Sequence, residues 1–201
     1  MAPNAKSTRR ARVIEHTRRD ILDAAARVFA EAGFHQATMQ AIAREAGFTA
    51  ASLYTYFGSK DEIYEALLEE LKFALLAAFD ARVPAGLTFE QRLELLLQRQ
   101  FELVIARRNA IRIIFDLGPN RPRRKDPNPF DYLERMEAFL ASAGADRLRC
   151  RADEAARLLF GITHATFLPI ILSPPETPFD PARQAERVVD LFLHGALGTS
   201  A

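Results

Sequence analysis

One cysteine, Cys150, stands in the 201 residues, so no internal disulfide can form. Arg149 and Arg151 flank it and favour a thiolate, yet no second cysteine exists to resolve an oxidised form. Cys150 therefore reads as an incidental loop residue. Histidine is scarce as well: His16, His35, His164 and His194 lack the spacing of metal ligands. No glycine-rich loop of the phosphate-cradling type occurs, and no serine or cysteine lies in a nucleophile motif. These absences predict a non-enzymatic protein that uses neither a metal nor a cofactor. Alternation of apolar and polar residues is missing over any useful length, which excludes a sheet and predicts an all-α chain. The longest uncharged stretch, residues 158–175, contains His164, two threonines and Pro169. It reads as too polar to span a bilayer and as a buried helix instead. The opening residues MAPNAKSTRR carry charge with no following apolar run, so a cytoplasmic location without a membrane is expected.

Net charge is nearly absent overall, at +1, but the charges are unevenly placed. Residues 1–60 carry nine Lys/Arg against five Asp/Glu, net +4, and the remainder is net −3. A basic arm is predicted over residues 1–16, with Lys6, Arg9, Arg10 and Arg12 ahead of any apolar period. Thr17-x-x-Asp20 then has the form of a capping box, followed by a stripe of Ile21, Leu22, Ala25, Val28, Phe29 and Ala32 that stops at Gly33. Ser59-x-x-Glu62 opens a long helix bearing Ile63, Leu67, Leu71, Leu75 and Ala78. Thr88-x-x-Gln91, Asn128-Pro129 and Asp180-Pro181 mark further helix starts, and a helix is expected from about residue 153 to 172. A charged, proline-rich loop fills residues 118–127, where RPRRK reads as solvated.

Residues 38–60, TMQAIAREAGFTAASLYTYFGSK, organise the rest. Met39, Ile42, Ala43 and Ala46 form one helical face behind the capping residue Thr38. Gly47 ends that helix, and Thr49 caps another two residues later, so two helices cross steeply in a helix-turn-helix whose second helix suits the major groove. Thr38, Thr49, Tyr54, Tyr56 and Lys60 offer hydroxyls and a cation to phosphate oxygens. Ala50, Ala51, Ser52 and Thr55 stand where base edges are read, and Gln40 is placed for a base or a phosphate. Phe57 reads as core.

The composite AxxAG, turn, LYxYF and SK before an acidic helix start resembles the DNA-binding module of TetR-type transcriptional regulators over about residues 17–63. The ending ERVVDLFLHGAL is similar to the last helix of many members. Two positions depart from the usual pattern, Ala51 for glycine or proline and Tyr56 for histidine. The resemblance implies phosphate contacts from Thr38, Tyr54, Tyr56 and Lys60, base reading from Thr49 to Thr55, a homodimer on a palindromic double-stranded operator, and a regulatory pocket in the C-terminal domain. The expected organisation is thus an arm over 1–16, a three-helix DNA-binding module over 17–60, and a larger helical effector-binding and dimerisation domain over 61–201.

Within the larger domain, the last two helices are apolar on more than one side. That points to dimerisation through Gly161, Ala165, Val189 and Leu193. Phe73, Phe101, Phe115, Met136, Phe139, Phe160 and Phe167, with His164 among them, are candidates to line a pocket for a small apolar effector. A ligand-released repressor is the reading that joins these features. Its rivals are a DNA-binding or architectural protein without an effector, and an all-α enzyme.

Overall fold

The computed structural model describes residues 5–117, 131–144, 148–174 and 176–195, with the side chains of a few of these, Phe115 included, outside the description. Among the described residues are nine α-helices and no strand. They are α1 (Ala5–Ala32), α2 (Met39–Glu45), α3 (Ala50–Tyr54), α4 (Lys60–Asp80), α5 (Phe89–Ala106), α6 (Arg108–Leu117), α7 (Asp131–Gly144), α8 (Ala152–Leu172) and α9 (Pro181–His194). Two compact units divide them. Described residues 5–70 and 109–117 form the first, and residues 71–108 with those from 131 onward form the second.

The first unit is built on α1, and its start differs from expectation. No proline or glycine interrupts residues 5–32, so the helix runs back through the expected arm and carries Arg9, Arg10 and Arg12 on its surface. Thr17 is not a cap: its hydroxyl donates to the Val13 carbonyl at 2.9 Å, four residues back inside the helix. Ion pairs Arg19–Glu15 at 3.6 Å and His16–Asp20 at 3.5 Å lie along the same turns. Of the predicted stripe, Ile21, Leu22, Ala25 and Phe29 bury, together with Phe34, Met39, Ile42, Leu53, Phe57, Ile63, Tyr64, Leu67 and Leu68, while Val28 is half-buried and Ala32 exposed. Each such large side chain contributes about 1.5–3 kcal/mol by leaving water. Ala110 and Ile113 of α6 complete this core, a contribution from beyond the expected 17–60 module.

In the second unit, Thr88 and Gln91 exchange hydrogen bonds in a complete capping box (3.3 and 3.0 Å). The following turns of α5 bury Leu93, Leu96, Leu97, Gln100, Phe101 and Val104 on one face. Asp180 caps α9 with Pro181 in its first turn, as the sequence predicts. The expected start of α7 at Asn128-Pro129, and the RPRRK run, lie outside the described residues. α8 corrects one expectation. By length and composition it is apolar enough to cross a membrane, its polar residues being too few to lower its mean hydropathy. Only 39% of its most apolar stretch is buried within the chain. The remainder is an apolar surface that needs a cover.

Candidate nucleic-acid interface and regulatory unit

The turn between α2 and α3 is closed by its own backbone. Phe48 N–H donates to the Ala43 carbonyl at 2.7 Å and Gly47 N–H to Arg44 at 3.2 Å, the paired bonds of a Schellman ending. Gly47 has φ +75°, a left-handed conformation that a side chain would strain. Thr38 Oγ1 accepts from Ala41 N–H and Thr49 Oγ1 from Ser52 N–H, both at 3.1 Å. Both expected caps therefore form. Leu53, fully buried, pins α3 to the core, so the opposite face of its single turn and a half is the one presented outward.

Most of the residues the sequence singles out are accessible. Thr38, Gln40, Thr49, Tyr54 and Thr55 are exposed, Ala50, Ser52 and Tyr56 half-buried, and Phe57 buried as expected. Tyr54 is 50% exposed, more than a core aromatic. Tyr56 leans edge-on against Phe48 with centroids 6.2 Å apart. Ser52 sits at the centre of a small hydroxyl network: its Oγ lies 2.9 Å from Thr49 Oγ1, and its carbonyl accepts from Thr55 Oγ1 at 2.7 Å.

Lys60 is placed differently from the expected phosphate ligand. Its ammonium donates to the carbonyls of Phe34, His35 and Ala37 at 2.9, 3.0 and 3.2 Å and lies 4.8 Å from the Phe34 ring centroid. Its three donors are thus engaged on the loop that leads into the Thr38 cap. Arg18, which sequence reasoning passed over, holds the other end of the motif. Its Nη1 donates to the Tyr56 carbonyl at 2.6 Å and its guanidinium lies 4.0 Å over the Phe57 ring. No local pattern marks it, because its partner is 38 residues away. Arg27 ties α1 to α2 through Glu45 at 2.7 Å.

In the second unit the aromatic candidates meet, and others join them. Ring contacts run Phe139–Phe79–Tyr132–Phe160–His164–Phe167–Phe101–Phe179, with centroid separations from 3.7 to 6.4 Å. Met136 is fully buried, while Phe73 is 76% exposed and lines no interior. The Phe115 side chain lies outside the described residues. His164 Nδ1–H donates to the Phe160 carbonyl at 3.0 Å. Burial lowers the His164 pKa, the hydrogen bond opposing it, so the ring stays neutral at pH 7. Burial likewise pushes the Tyr132 phenol far above its ordinary range, against the hydrogen bond to Gln100.

The candidate dimer residues divide. Gly161 and Ala165 are exposed on α8, where Leu158, Leu168 and Leu172 (59, 42 and 65% exposed) extend them into one line. Their spacing alternates three and four residues, the seam of a helix that packs against another helix. Leu193 is half-buried. Val189 is 2% exposed and already spent inside the second unit, where α9 packs on α5, so it is withdrawn from the interface.

Two short capped helices joined by a tight turn, with accessible hydroxyls and an exposed tyrosine, have the form of a helix-turn-helix DNA-binding module. Comparison with known proteins agrees. Residues 21–67 match the family model described as bacterial regulatory proteins of the tetR family. The fatty acid metabolism regulator protein of Bacillus subtilis is 30% identical over 182 residues, covering 87% of this chain and 93% of the relative. An HTH-type transcriptional repressor of Mycobacterium tuberculosis is 33% identical over 141 residues, 70% of this chain and 68% of the relative. Among solved structures, the regulator FadR of Bacillus subtilis in complex with stearoyl-CoA superimposes with a TM-score of 0.65 at 21% identity, covering 88% of this chain and 97% of that one. The chain belongs to the TetR family of transcriptional regulators. It is a DNA-binding regulator and not an enzyme, and its partners are operator DNA, a second copy of itself and a small-molecule effector.

Proposed function

We propose that this protein is a cytoplasmic repressor that leaves a palindromic operator when a long-chain fatty acyl thioester fills its second unit. The observation that carries the effector class is the row of rings from Phe79 to Phe179, which gives that unit an apolar, aromatic interior suited to an alkyl chain. The similarity to a fatty acid metabolism regulator over nearly its whole length supports the same class. Repression is favoured by the similarity to a repressor.

At the DNA, Thr38, Thr49, Tyr54 and Tyr56 address phosphates, while Gln40, Ala50, Ser52 and Thr55 face base edges. The small Ala50 and Ala51 suit thymine methyl groups. Lys60 and Arg18 hold this surface in place from behind. Two copies joined along the α8 seam, with Leu193 at its margin, present two reading heads, which require paired half-sites on one face of the duplex. Selection of bound duplexes from random DNA, followed by titration of the selected operator complex with stearoyl-CoA, tests the whole reading. A palindromic consensus and release by the thioester are expected. A consensus without symmetry removes the paired half-sites, and a complex indifferent to the thioester leaves the rival reading of a DNA-binding protein without that effector.

A further inference from the structure

Two polar side chains are fully buried in the second unit, Gln100 on α5 and Thr163 on α8. Both keep a hydrogen-bonding atom without a partner: the Gln100 amide nitrogen and the Thr163 hydroxyl oxygen. Their positions are unusual for such groups. Gln100 occupies the apolar stripe of α5 between Leu97 and Val104, and Thr163 the buried face of α8 between Leu159 and Phe167. A donor left unmet in an apolar interior is costly, and buried groups of this kind are met by water, by an ion or by a ligand.

The orientation of Gln100 decides what it offers. Tyr132 Oη donates to Gln100 Oε1 at 2.6 Å, which occupies the amide oxygen and leaves the NH2 end as the free one. Tyr132 is itself fixed, its ring packed against Phe79 at 5.4 Å, Phe160 at 5.7 Å and His164 at 6.4 Å. Thr163 directly precedes His164, and the neighbouring pair Phe101–Phe167 brings α5 and α8 together at this level with rings 5.5 Å apart. The free Gln100 amide nitrogen is a donor only, and the free Thr163 hydroxyl can donate or accept; both lie among aromatic rings. Gln100, Phe101, Tyr132, Phe160, Thr163, His164 and Phe167 include no fixed cation, so a neutral acceptor is matched here and a carboxylate is not. A plain hydrocarbon chain would leave the amide unmet.

We infer that Gln100 donates a hydrogen bond to the carbonyl oxygen of the effector's acyl group, with Tyr132 holding the amide in the donating orientation and Thr163 offering a second hydroxyl donor. This rests on the reading that the second unit receives the effector, and it adds that the neutral acyl carbonyl is recognised and not the alkyl chain alone. Tyr132 is a positioning residue in this arrangement. Because its ring also meets Phe79 on α4, the site that senses the carbonyl includes a residue in contact with that helix.

Paired titrations of the full-length dimer with stearoyl-CoA and with octadecyl-CoA, the thioether that lacks only the carbonyl oxygen, test the inference. Wild type is expected to bind the thioester about three- to tenfold more tightly, the range of one neutral hydrogen bond. Gln100→Met, similar in shape and without the donor, lowers the ratio, and adding Thr163→Val brings it close to one, while operator binding and melting temperature report an intact fold. Tyr132→Phe keeps the ring but frees the amide to turn over, so the ratio falls without a loss of thioether binding. Equal affinities in wild type, or a ratio unchanged in Gln100→Met, overturn the carbonyl site and leave the acyl-chain reading standing. Failure of folded wild type to bind either compound overturns that reading and this inference together.

Discussion

The ammonium of Lys60 and the hydroxyl of Tyr54 are candidate phosphate ligands with different freedom. Lys60 spends its donors on Phe34, His35 and Ala37, whereas Tyr54 is half exposed. A Lys that neutralises a phosphate contributes about 0.9 to the slope of log affinity against log salt. Lys60→Met is therefore expected to leave that slope unchanged while lowering stability by about 1–3 kcal/mol, since three carbonyls lose a charged donor. A slope smaller by about one unit in the variant would return Lys60 to the phosphates. Tyr54→Phe, by contrast, should weaken binding to operator and random duplex alike with no change in melting temperature. His164 makes a pH prediction of its own. Its pKa is lowered by burial, so between its folded pKa and the unfolded value of about 6.5 the unfolded chain binds a proton that the folded chain does not. Stability is thus full above about pH 6.5 and declines as pH falls through this window. Melting temperature measured from about pH 7.5 to about pH 5 should drop less steeply in His164→Gln, and identical slopes would show that other groups govern the acid limb.

α8 is the element whose sequence and environment agree least within one chain. Leu158, Gly161, Ala165, Leu168 and Leu172 repeat at three and four residues, and all are exposed. A glutamate introduced on this line costs nothing in the monomer and must be desolvated in a dimer. Leu158→Glu combined with Leu172→Glu is expected to sediment as a folded monomer with unchanged helical circular dichroism and little operator affinity; a dimer that persists would place the interface elsewhere. Features of this kind were legible in the sequence in proportion to how local they are. The caps at Thr38, Thr49 and Thr88 and the turn at Gly47 depend on residues three to five positions apart, and each forms as read. Thr17-x-x-Asp20 has the same local signature, yet helix continues through it, because a hydroxyl inside a helix finds a carbonyl four residues back as readily as a cap finds an amide. The contribution of Ala110 and Ile113 to the first core, the partners of Lys60 and the burial of Val189 are all settled by residues far away in sequence. Gln100 was the exception that left a trace, as a polar residue on an otherwise apolar stripe.

At the scale of the whole molecule, α4 begins in the first unit and ends in the second. Leu67 and Leu68 bury in the first core, and twelve residues after Leu67 the Phe79 ring packs on Tyr132 and Phe139 in the second. An effector and an operator that favour different settings of this helix would bias it in opposite directions. Thermodynamic linkage then makes a strict demand. If stearoyl-CoA weakens operator binding by some factor, typically about 5- to 150-fold, the operator must weaken stearoyl-CoA binding by the same factor. The effector also stabilises the free protein, by about 2.7 kcal/mol at a hundred times its Kd, and this gain should shrink in the presence of saturating operator. Measuring all four affinities closes the cycle. A loss of operator affinity that levels off at one finite factor identifies coupling between separate sites, whereas a loss that keeps growing in proportion to added thioester would mean that the thioester competes for the DNA surface itself, and α4 would then carry no signal.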